Sequence, residues 1–569
     1  MQRTVRNLLV PGLRWLLRQQ SRELQIAART CEKIQAATLA RLLSLNAGSQ
    51  FQQDFRLDGI QGVRDFQQAL PVAGYDRALP YIERLKLGET RALLGPGNRL
   101  LMFALTSGTT SSTKFVPITR QFFRDYRRGW QIWGIQAFDA HPALHHAEIF
   151  QLTSPWNQFY TPVGIPCGNI SGLAQQMQSR LLRCMYAVPM EAGRIANPFE
   201  KLYFGLKHSL CTPRLGMITT ANPSTLCQMF KILADHGGSL VRDLFQGNDS
   251  SGNQESLSPS MRCVKNRSRA RQLDRILDAR GQLRPADVWP QLQLISVWTG
   301  GSAAAYLPIL REFLDDVPIR DHGLHASEGR MTIPLEDESS SGLLDISTHF
   351  FEFIPEAEIG TPNPPALLAH ELVEDESYSV VMTTSSGLYR YDIQDVVQCT
   401  GFIGTTPLLR FLHKGSHISN LTGEKLTESQ VVQAVTTVAR AGRMRLTHFT
   451  VTPQWGDPPR YLLLIDEDLL ADVPADLDLA RAIEEELIRS NLEYSEKRRS
   501  KRLAPLSLLI VPGAAWRQFV QNRQTKMGGS TEQYKHPYLI PKLDFLEDFL
   551  EQHLLAGNSP VVPPSPTAH

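Results

Sequence analysis

Thr106-Ser-Gly-Thr-Thr-Ser-Ser-Thr-Lys114 is the stretch on which the reading of this chain turns. Hydroxyl side chains crowd around one glycine, and a lysine closes the run. Before it, Leu101-Met-Phe-Ala-Leu105 reads as a buried strand entering the loop. After it, Phe115-Val-Pro-Ile-Thr119 leaves as a second extended run punctuated by Pro117. A loop of this kind offers backbone N–H groups and hydroxyls to phosphate oxygens, and the lysine supplies charge. Thr106, Ser107, Gly108, Thr109, Thr110 and Lys114 are therefore candidate contacts to a nucleotide phosphate. The loop is not a Walker A motif, because the second glycine and the Gly-Lys-Ser/Thr ending are missing. The same composition suits a Ser/Thr-rich surface turn, so the rest of the chain has to decide.

Working outward, Trp298-Thr-Gly-Gly-Ser-Ala303, His325-Ala-Ser-Glu-Gly329, Gly387-Leu-Tyr-Arg-Tyr-Asp-Ile-Gln-Asp-Val-Val397 and Ser419-Asn-Leu-Thr-Gly-Glu-Lys-Leu-Thr-Glu428 follow in order. They resemble the successive motifs of adenylate-forming enzymes. Further strings narrow the resemblance: Gln35-Ala-Ala-Thr-Leu39, Pro80-Tyr-Ile-Glu-Arg84, Phe350-Phe-Glu-Phe-Ile-Pro355, Gly387-Leu-Tyr-Arg-Tyr391 and Gln533-Tyr-Lys-His-Pro537. Together these look like the auxin-responsive (Gretchen Hagen) acyl-acid amido synthetase family, over a span from about residue 35 to about residue 545. The resemblance implies an α/β fold, with a large N-terminal adenylate-forming domain of β-sheets flanked by helices and a smaller, mobile C-terminal α/β domain. The expected division is an ATP- and acyl-acid-binding domain over 1–410, a small domain over 411–556 and a disordered proline-rich tail over 557–569.

Composition agrees with an enzyme of two domains. The 569 residues, 42% of them hydrophobic, can bury a large core. Lys plus Arg number 59 against 57 Asp plus Glu, and a net charge of +2 gives no reason to expect nucleic acid as a partner. The 7 cysteines form no Cys-x-x-Cys pair, which argues against a zinc knuckle or disulfide framework and fits a reducing cytoplasm. No apolar run approaches the ~20 residues needed to span a bilayer, so no transmembrane segment is expected. Six arginines (3, 6, 14, 18, 22, 29) stand against Glu23 near the start, and Arg14 and Arg18 interrupt the apolar run Leu8 to Leu17. That pattern reads as a solvated helix capping the domain rather than a cleavable signal, with an anionic membrane surface as the other option. A monomer is expected.

Helical spacing of apolar residues predicts helices over Gln19 to Leu45 and Gln121 to Phe138. Ala147 to Leu152, Gln293 to Trp298 and Tyr378 to Thr383 read as strands between helices, the alternation of an α/β fold. Gln246 to Pro259 is a polar loop, and Lys265, Arg267, Arg269 and Arg271 after it read as a solvated helix face. From about Phe411 a second block follows: helices over Leu426 to Ala441 and Leu477 to Asn491, with strands over His448 to Val451, Arg460 to Asp466 and Leu506 to Pro512. The basic run Glu496 to Arg502 reads as surface charge.

Chemistry and resemblance together assign roles. A carboxylate is a poor electrophile at neutral pH; attack on the α-phosphate of ATP with loss of pyrophosphate makes an acyl-AMP that an amine can open. The transition state gathers negative charge on phosphate oxygens, so preplaced cations and donors are needed. Ser107, Thr109, Thr110 and Lys114 suit that need. The resemblance implies that Glu328 binds the magnesium bridging the phosphates, and Ser327 or Ala326 is the candidate backbone contact to the nucleotide. It implies that Asp395 accepts hydrogen bonds from both ribose hydroxyls. Gly300, Gly301 and Ser302 fall where the adenine-contacting turn lies, and glycine lets a base approach the backbone. Lys425 and Lys535 are the candidate catalytic lysines of the small domain, and Lys414 with Gly415 occupies the expected hinge, where Lys414 is also a candidate nucleotide contact. ATP and Mg2+ are the expected cofactors; a small carboxylic acid and an amino acid or other amine are the expected partners.

His141, His145 and His146 lack a third ligand and a His-Glu-x-x-His pattern, so metal binding there is not expected. His322 and His325 flank the site loop as possible bases for the amine. Four positions depart from the family pattern: Ser111 for a glycine, Gln394 for the glycine before the ribose aspartate, Leu324 for an adenine-stacking tyrosine, and Lys414-Gly415 at the hinge. Loss of an aromatic stack costs about 1 kcal/mol. Three functions stay open on the residues: an acyl-acid amido synthetase, an acyl-CoA synthetase-like enzyme, and a catalytically weak nucleotide- or acyl-binding homologue.

Overall fold

The computed structural model describes residues 2–107, 113–178, 180–195, 197–247, 265–361, 363–415, 418–419, 421–422, 424, 426–526 and 536–553. The chain packs into two compact units, one formed by residues 1–299 and 310–411, the other by 300–309 and 412–569. The second unit thus takes in Gly300–Ile309, a stretch expected within the first domain.

The first unit opens with a helix over Gln2–Ala27, a 3-10 turn over Ala28–Thr30 and a second helix over Cys31–Leu45. The single helix expected from Gln19 to Leu45 is broken for a tertiary reason. The Ala28 carbonyl accepts from Thr405 N (3.0 Å) and Thr406 Oγ1 (2.9 Å), while Cys31 N donates to Thr405 Oγ1 (2.9 Å). The turn that delivers these groups comes in at Gly404, where a Cβ would lie 2.7 Å from Arg29 Cα. Backbone groups diverted to a neighbouring turn cannot also serve the helical ladder.

Strand Leu100–Ser107 pairs antiparallel with Thr113–Thr119 and parallel with Pro166–Gly168. Thr119 then caps the helix Arg120–Ala140, its hydroxyl accepting from Phe122 N at 3.2 Å, and Phe122, Phe123, Tyr126, Ile132 and Trp133 turn inward. A parallel sheet follows in the order Glu148–Gln151, Leu215–Thr219, Leu294–Val297, Ile319–Asp321, with helices such as Pro198–Leu210 and Pro223–Asp235 in the crossovers. The remaining large sheet has seven strands: Thr332–Ile333, Ser341–Leu344, Thr406–Lys414, Tyr391–Ile403, Ser377–Thr383, Phe350–Pro355 and Leu367–Leu368 in spatial order. The α/β fold is as expected.

The Arg-rich segment is helix Arg267–Arg280, and one of its arginines departs from the solvated reading. Arg269 is buried, and its guanidinium donates to the carbonyls of Leu210 and Val288. The polar loop before it lies largely outside the described residues, as does the proline-rich tail.

In the second unit, Phe449–Gln454, Arg460–Asp466 and Ser507–Val511 make a three-stranded sheet, its first pair antiparallel and its second parallel. Helices Glu428–Gly442 and Leu479–Ser490 share one hydrophobic cluster with two of these strands. Leu426–Thr427, expected inside a helix, instead pairs with Ile418–Ser419 as a hairpin. Thr427 and Gln430 form a capping box that starts the helix one residue later. Of the basic run, Arg498 is half-buried rather than solvated, its Nε donating to Glu484 at 2.6 Å.

Candidate active site

The site of the first unit is built on a short hairpin. His325–Ala326 pairs with Gly329–Arg330, leaving Ser327 and Glu328 at its tip. Gly329 is required there: a Cβ would lie 2.6 Å from His349 Nε2 and 2.8 Å from Met382 Cε, so the hairpin seats directly on the core. Glu328 is 8% exposed, and the Tyr391 hydroxyl donates toward its Oε1 at 3.5 Å, the outer limit of a hydrogen bond.

Tyr391 begins the long strand Tyr391–Ile403, whose pairing with Ser377–Thr383 is interrupted between Ser379 and Val381. The irregularity carries Asp392, Gln394 and Asp395. Asp392 Oδ1 accepts from Ser379 Oγ (3.0 Å) and from Gln394 N (2.8 Å). Gln394 has φ 58°, in the left-handed region that favours glycine. Asp395 is 3% exposed. Bulged strands of this sort redirect side chains next to functional sites.

Tyr75 ties in the phosphate-loop side. Its hydroxyl donates to Phe115 O (3.1 Å) and accepts from Phe115 N (2.9 Å), clamping the strand that leaves the loop. Lys114 Nζ lies 5.4 Å from the centre of the Tyr75 ring. Burial pushes the Tyr75 hydroxyl up to about 12, with the charges of Glu83 and Glu328 adding to it. Tyr391 is also raised, first by burial, then by Glu328, Tyr75, Asp392 and Asp395. Both phenols are protonated donors at neutral pH. Lys114 thus lies against Tyr75 and Glu328 against Tyr391, with Asp395 four residues after Tyr391 on its bulged strand.

Thr106 pairs in register with Lys114, and Ser107 with Thr113, where the two strands enter and leave the loop. Gly108, Thr109 and Thr110, with Ser111, lie outside the described residues, as do Lys425 and Lys535. Gly300, Gly301 and Ser302 belong to the second unit, where Gly301 (φ 57°) opens a 3-10 turn over Gly301–Tyr306 lying against helix Glu428–Gly442. Lys414 ends strand Thr406–Lys414, and its carbonyl lies 3.1 Å from His413 Nδ1.

The histidines hold structural partners. His322 is buried, 3.0 Å from Thr219 Oγ1 through Nε2, and burial holds its pKa well below 6.5, so it is a neutral imidazole closed to solvent. His325 Nδ1 lies 2.9 Å from Gly323 O. His141 pairs with Asp337 at 2.7 Å. Residues 75 and 391 were missed as site members from sequence; Tyr391 lay inside a quoted string, while Tyr75 had no local signal.

Against known proteins, the GH3 family N-terminal domain matches residues 20–319, the central domain 342–414 and the C-terminal domain 429–543. A jasmonoyl-L-amino acid synthetase of Oryza sativa subsp. japonica is 22% identical over 91% of this chain and 94% of its own. An indole-3-acetic acid-amido synthetase of Arabidopsis thaliana is 22% identical over 94% of both. Among solved structures, an acyl acid amido synthetase in complex with 2,4-DB superposes with a TM-score of 0.80 at 19% identity, covering 94% of this chain and 96% of that one.

Proposed function

The chain belongs to the GH3 family, and on that premise we propose that it is an ATP-dependent acyl-acid amido synthetase. It activates a small carboxylic acid as the acyl-adenylate and passes the acyl group to an amino acid or other amine. The observation that carries this reading is Lys114 against Tyr75 and Glu328 against Tyr391, at the start of the bulged strand that bears Asp395. The curated relatives are named for the same reaction type, one as a jasmonoyl-L-amino acid synthetase and one as an indole-3-acetic acid-amido synthetase.

In this reading the acid's carboxylate attacks the α-phosphate of ATP and pyrophosphate leaves; the amine then attacks the acyl carbon and AMP leaves. Lys114 and the donors of the Thr106–Lys114 loop oppose the negative charge that grows on the phosphate oxygens. Asp395 is acceptor-only when ionised, and its two oxygens match a vicinal ribose diol. Glu328 suits a magnesium ion, since one buried carboxylate plus phosphate oxygens and water is an ordinary shell for it. When bound, the ion would supply charge neutralisation along the phosphates. Ser327, at the same hairpin tip, is proposed as a backbone contact to the nucleotide. Gly300, Gly301 and Ser302 are proposed at adenine, with Lys414, Lys425 and Lys535 as nucleotide and phosphate cations of the second unit. The action is placed in the cytoplasm.

The test is pyrophosphate release across a panel of acids, with and without amino acids or CoA. Release with acid and ATP, followed by amide formation only when an amino acid is added, is the expected result. Thioester formation with CoA would move the chain to the acyl-CoA synthetases, and no release with any acid would leave a binding protein.

A further inference from the structure

Arg330 is the one residue of the Glu328 hairpin whose charge the mechanism above does not use. It is 2% exposed. The Cβ position on Gly329 faces His349 and Met382, so the next residue along the strand is turned to the opposite side, toward helix Arg120–Ala140. Room for it comes from Gly129 in that helix, where a Cβ would lie 2.5 Å from Arg330 Cδ. A mid-helix glycine weakens a helix relative to alanine, which is here the condition for admitting the arginine.

The guanidinium then lies 4.1 Å from the ring centre of Trp130. Its Nη2 donates to the His322 carbonyl at 2.6 Å, while Nε and Nη1 have no hydrogen-bond partner among the described residues. The carboxylates that act on it are committed elsewhere. Asp321 accepts from Thr299 N, Thr299 Oγ1 and Gly323 N, and Asp345 is paired with Arg128 at 3.1 Å. A buried cation short of acceptors is costly unless a ligand supplies them. The surroundings are flat and aromatic: Trp130 lies 5.1 Å from His322 and 5.4 Å from His325, and Trp298 lies 5.0 Å from His325.

Arg330 turns toward Gly129 and Trp130 of helix Arg120–Ala140, on the side of the strand opposite the face that Gly329 presents to His349 and Met382. Resting on the amido synthetase reading, we propose that Arg330 is a specificity residue of the acid pocket: it selects a planar, ring-bearing carboxylic acid that carries a second oxygen acceptor, above all an anionic one, at the end remote from the reacting carboxylate.

The test compares benzoate with terephthalate, which differ by that remote carboxylate, on the parent, Arg330→Met and Arg330→Lys. Calorimetric binding is measured without ATP, and kcat/KM is measured by pyrophosphate release. The expected result is that Arg330→Met weakens terephthalate on the order of tenfold or more while benzoate changes little, and that Arg330→Lys recovers part of the loss. Equal losses for both acids would mean that Arg330 holds the reacting carboxylate or only the fold, and would overturn the proposal. Should Arg330→Met fail to fold, a parent that binds terephthalate no better than benzoate, or an Arg330→Lys variant with unchanged preference, overturns it equally. A parent that binds terephthalate selectively through Arg330 yet releases no pyrophosphate would sink the amido synthetase reading and leave the pocket assignment standing.

Discussion

Replacing Glu352 should destabilise the first unit heavily, and removing its partner as well should not repair the damage. Arg390 and Glu352 form a buried bidentate pair, Nε to Oε2 at 2.9 Å and Nη2 to Oε1 at 2.8 Å, with side chains 6% and 1% exposed. Breaking such a pair from one side costs about 3 to 5 kcal/mol, because a buried charge is left uncompensated. Where a buried pair stands alone, two apolar residues of similar volume often restore stability. This pair does not stand alone. Arg390 Nη1 also donates to the carbonyls of Gln67 (2.9 Å) and Leu70 (2.6 Å), at the end of helix Val63–Ala69, where carbonyls lack helical partners. Gln67 Nε2 donates to Glu352 Oε1 at 2.9 Å. A Glu352→Leu, Arg390→Met double variant would thus take the Arg390 bonds from the Gln67 and Leu70 carbonyls, at roughly 1 kcal/mol or more each, while Gln67 Nε2 keeps its bond to Ala366 O at 3.0 Å. We expect Glu352→Ala to cost about 3 to 5 kcal/mol and the double variant to remain at least about 2 kcal/mol below the parent. Urea unfolding followed by tryptophan fluorescence measures this, with the transitions of the two units fitted separately. A double variant within about 1 kcal/mol of the parent would refute the network argument.

Asp395→Ala should weaken ATP binding about a hundredfold, ~3 kcal/mol for two hydroxyls losing a charged acceptor; unchanged affinity by calorimetry removes Asp395 from the site. Glu328→Gln should spare the fold, because the amide keeps the size of the carboxylate and an oxygen for the Tyr391 hydroxyl 3.5 Å away, while slowing adenylation and raising the magnesium needed for half-maximal rate. Parental rate and magnesium dependence would refute the metal role. Asp125 is pushed up to about 7, chiefly by burial, so its folded pKa stands above its unfolded value near 3.8. Its contribution is therefore fully present below about pH 4 and lost as pH rises through about 7. Asp125→Asn should melt higher than the parent at pH 8, with the gap closing toward pH 4; parallel melting curves across that range would contradict the assignment.

The strings that carried the family resemblance were legible, yet most of them do structural work. Gln35 Nε2 donates to the carbonyls of Ile346 (2.7 Å) and His349 (2.8 Å), and its Oε1 accepts from Phe351 N (2.8 Å), so the first string is stitched to Phe350–Pro355. Glu352 in turn joins that string to Gly387–Tyr391 through Arg390. In Pro80–Arg84, Tyr81 packs edge-on against Phe51, which stacks on Tyr389. No periodicity could reveal these links, because they join residues between about thirty and more than three hundred positions apart. The passage from first to second unit was equally hidden: it falls inside the continuous strand Thr406–Lys414, with no Gly- or Pro-rich linker to mark it. Helix ends were misjudged where tertiary contacts overrode pattern, as at Ala28–Thr30 and Leu426–Thr427.

Since the strings are largely scaffold, their presence alone argues for the fold, and the departures have to be weighed by where they sit. Gln394 occupies the left-handed conformation that a glycine would take without strain, at a cost of about 1 kcal/mol. Its N–H still donates to Asp392, and the strand still presents Asp395 in a bulge, so the substitution taxes stability rather than the geometry of the carboxylate. Leu324 is different. Its backbone is braced by Thr332 Oγ1 (2.8 Å) and Met331 N (2.8 Å), which keeps the loop in place, but a leucine has no ring to lay on a purine. The expected consequence is a weaker nucleotide affinity with intact adenylation chemistry, and restoring the ring separates the two. Leu324→Tyr should tighten ATP binding by about fivefold to tenfold, ~1 kcal/mol of stacking, with kcat little altered. Tighter binding without a change in kcat would place the departure in recognition; a rise in kcat at constant affinity would show that position 324 acts on the reacting groups instead.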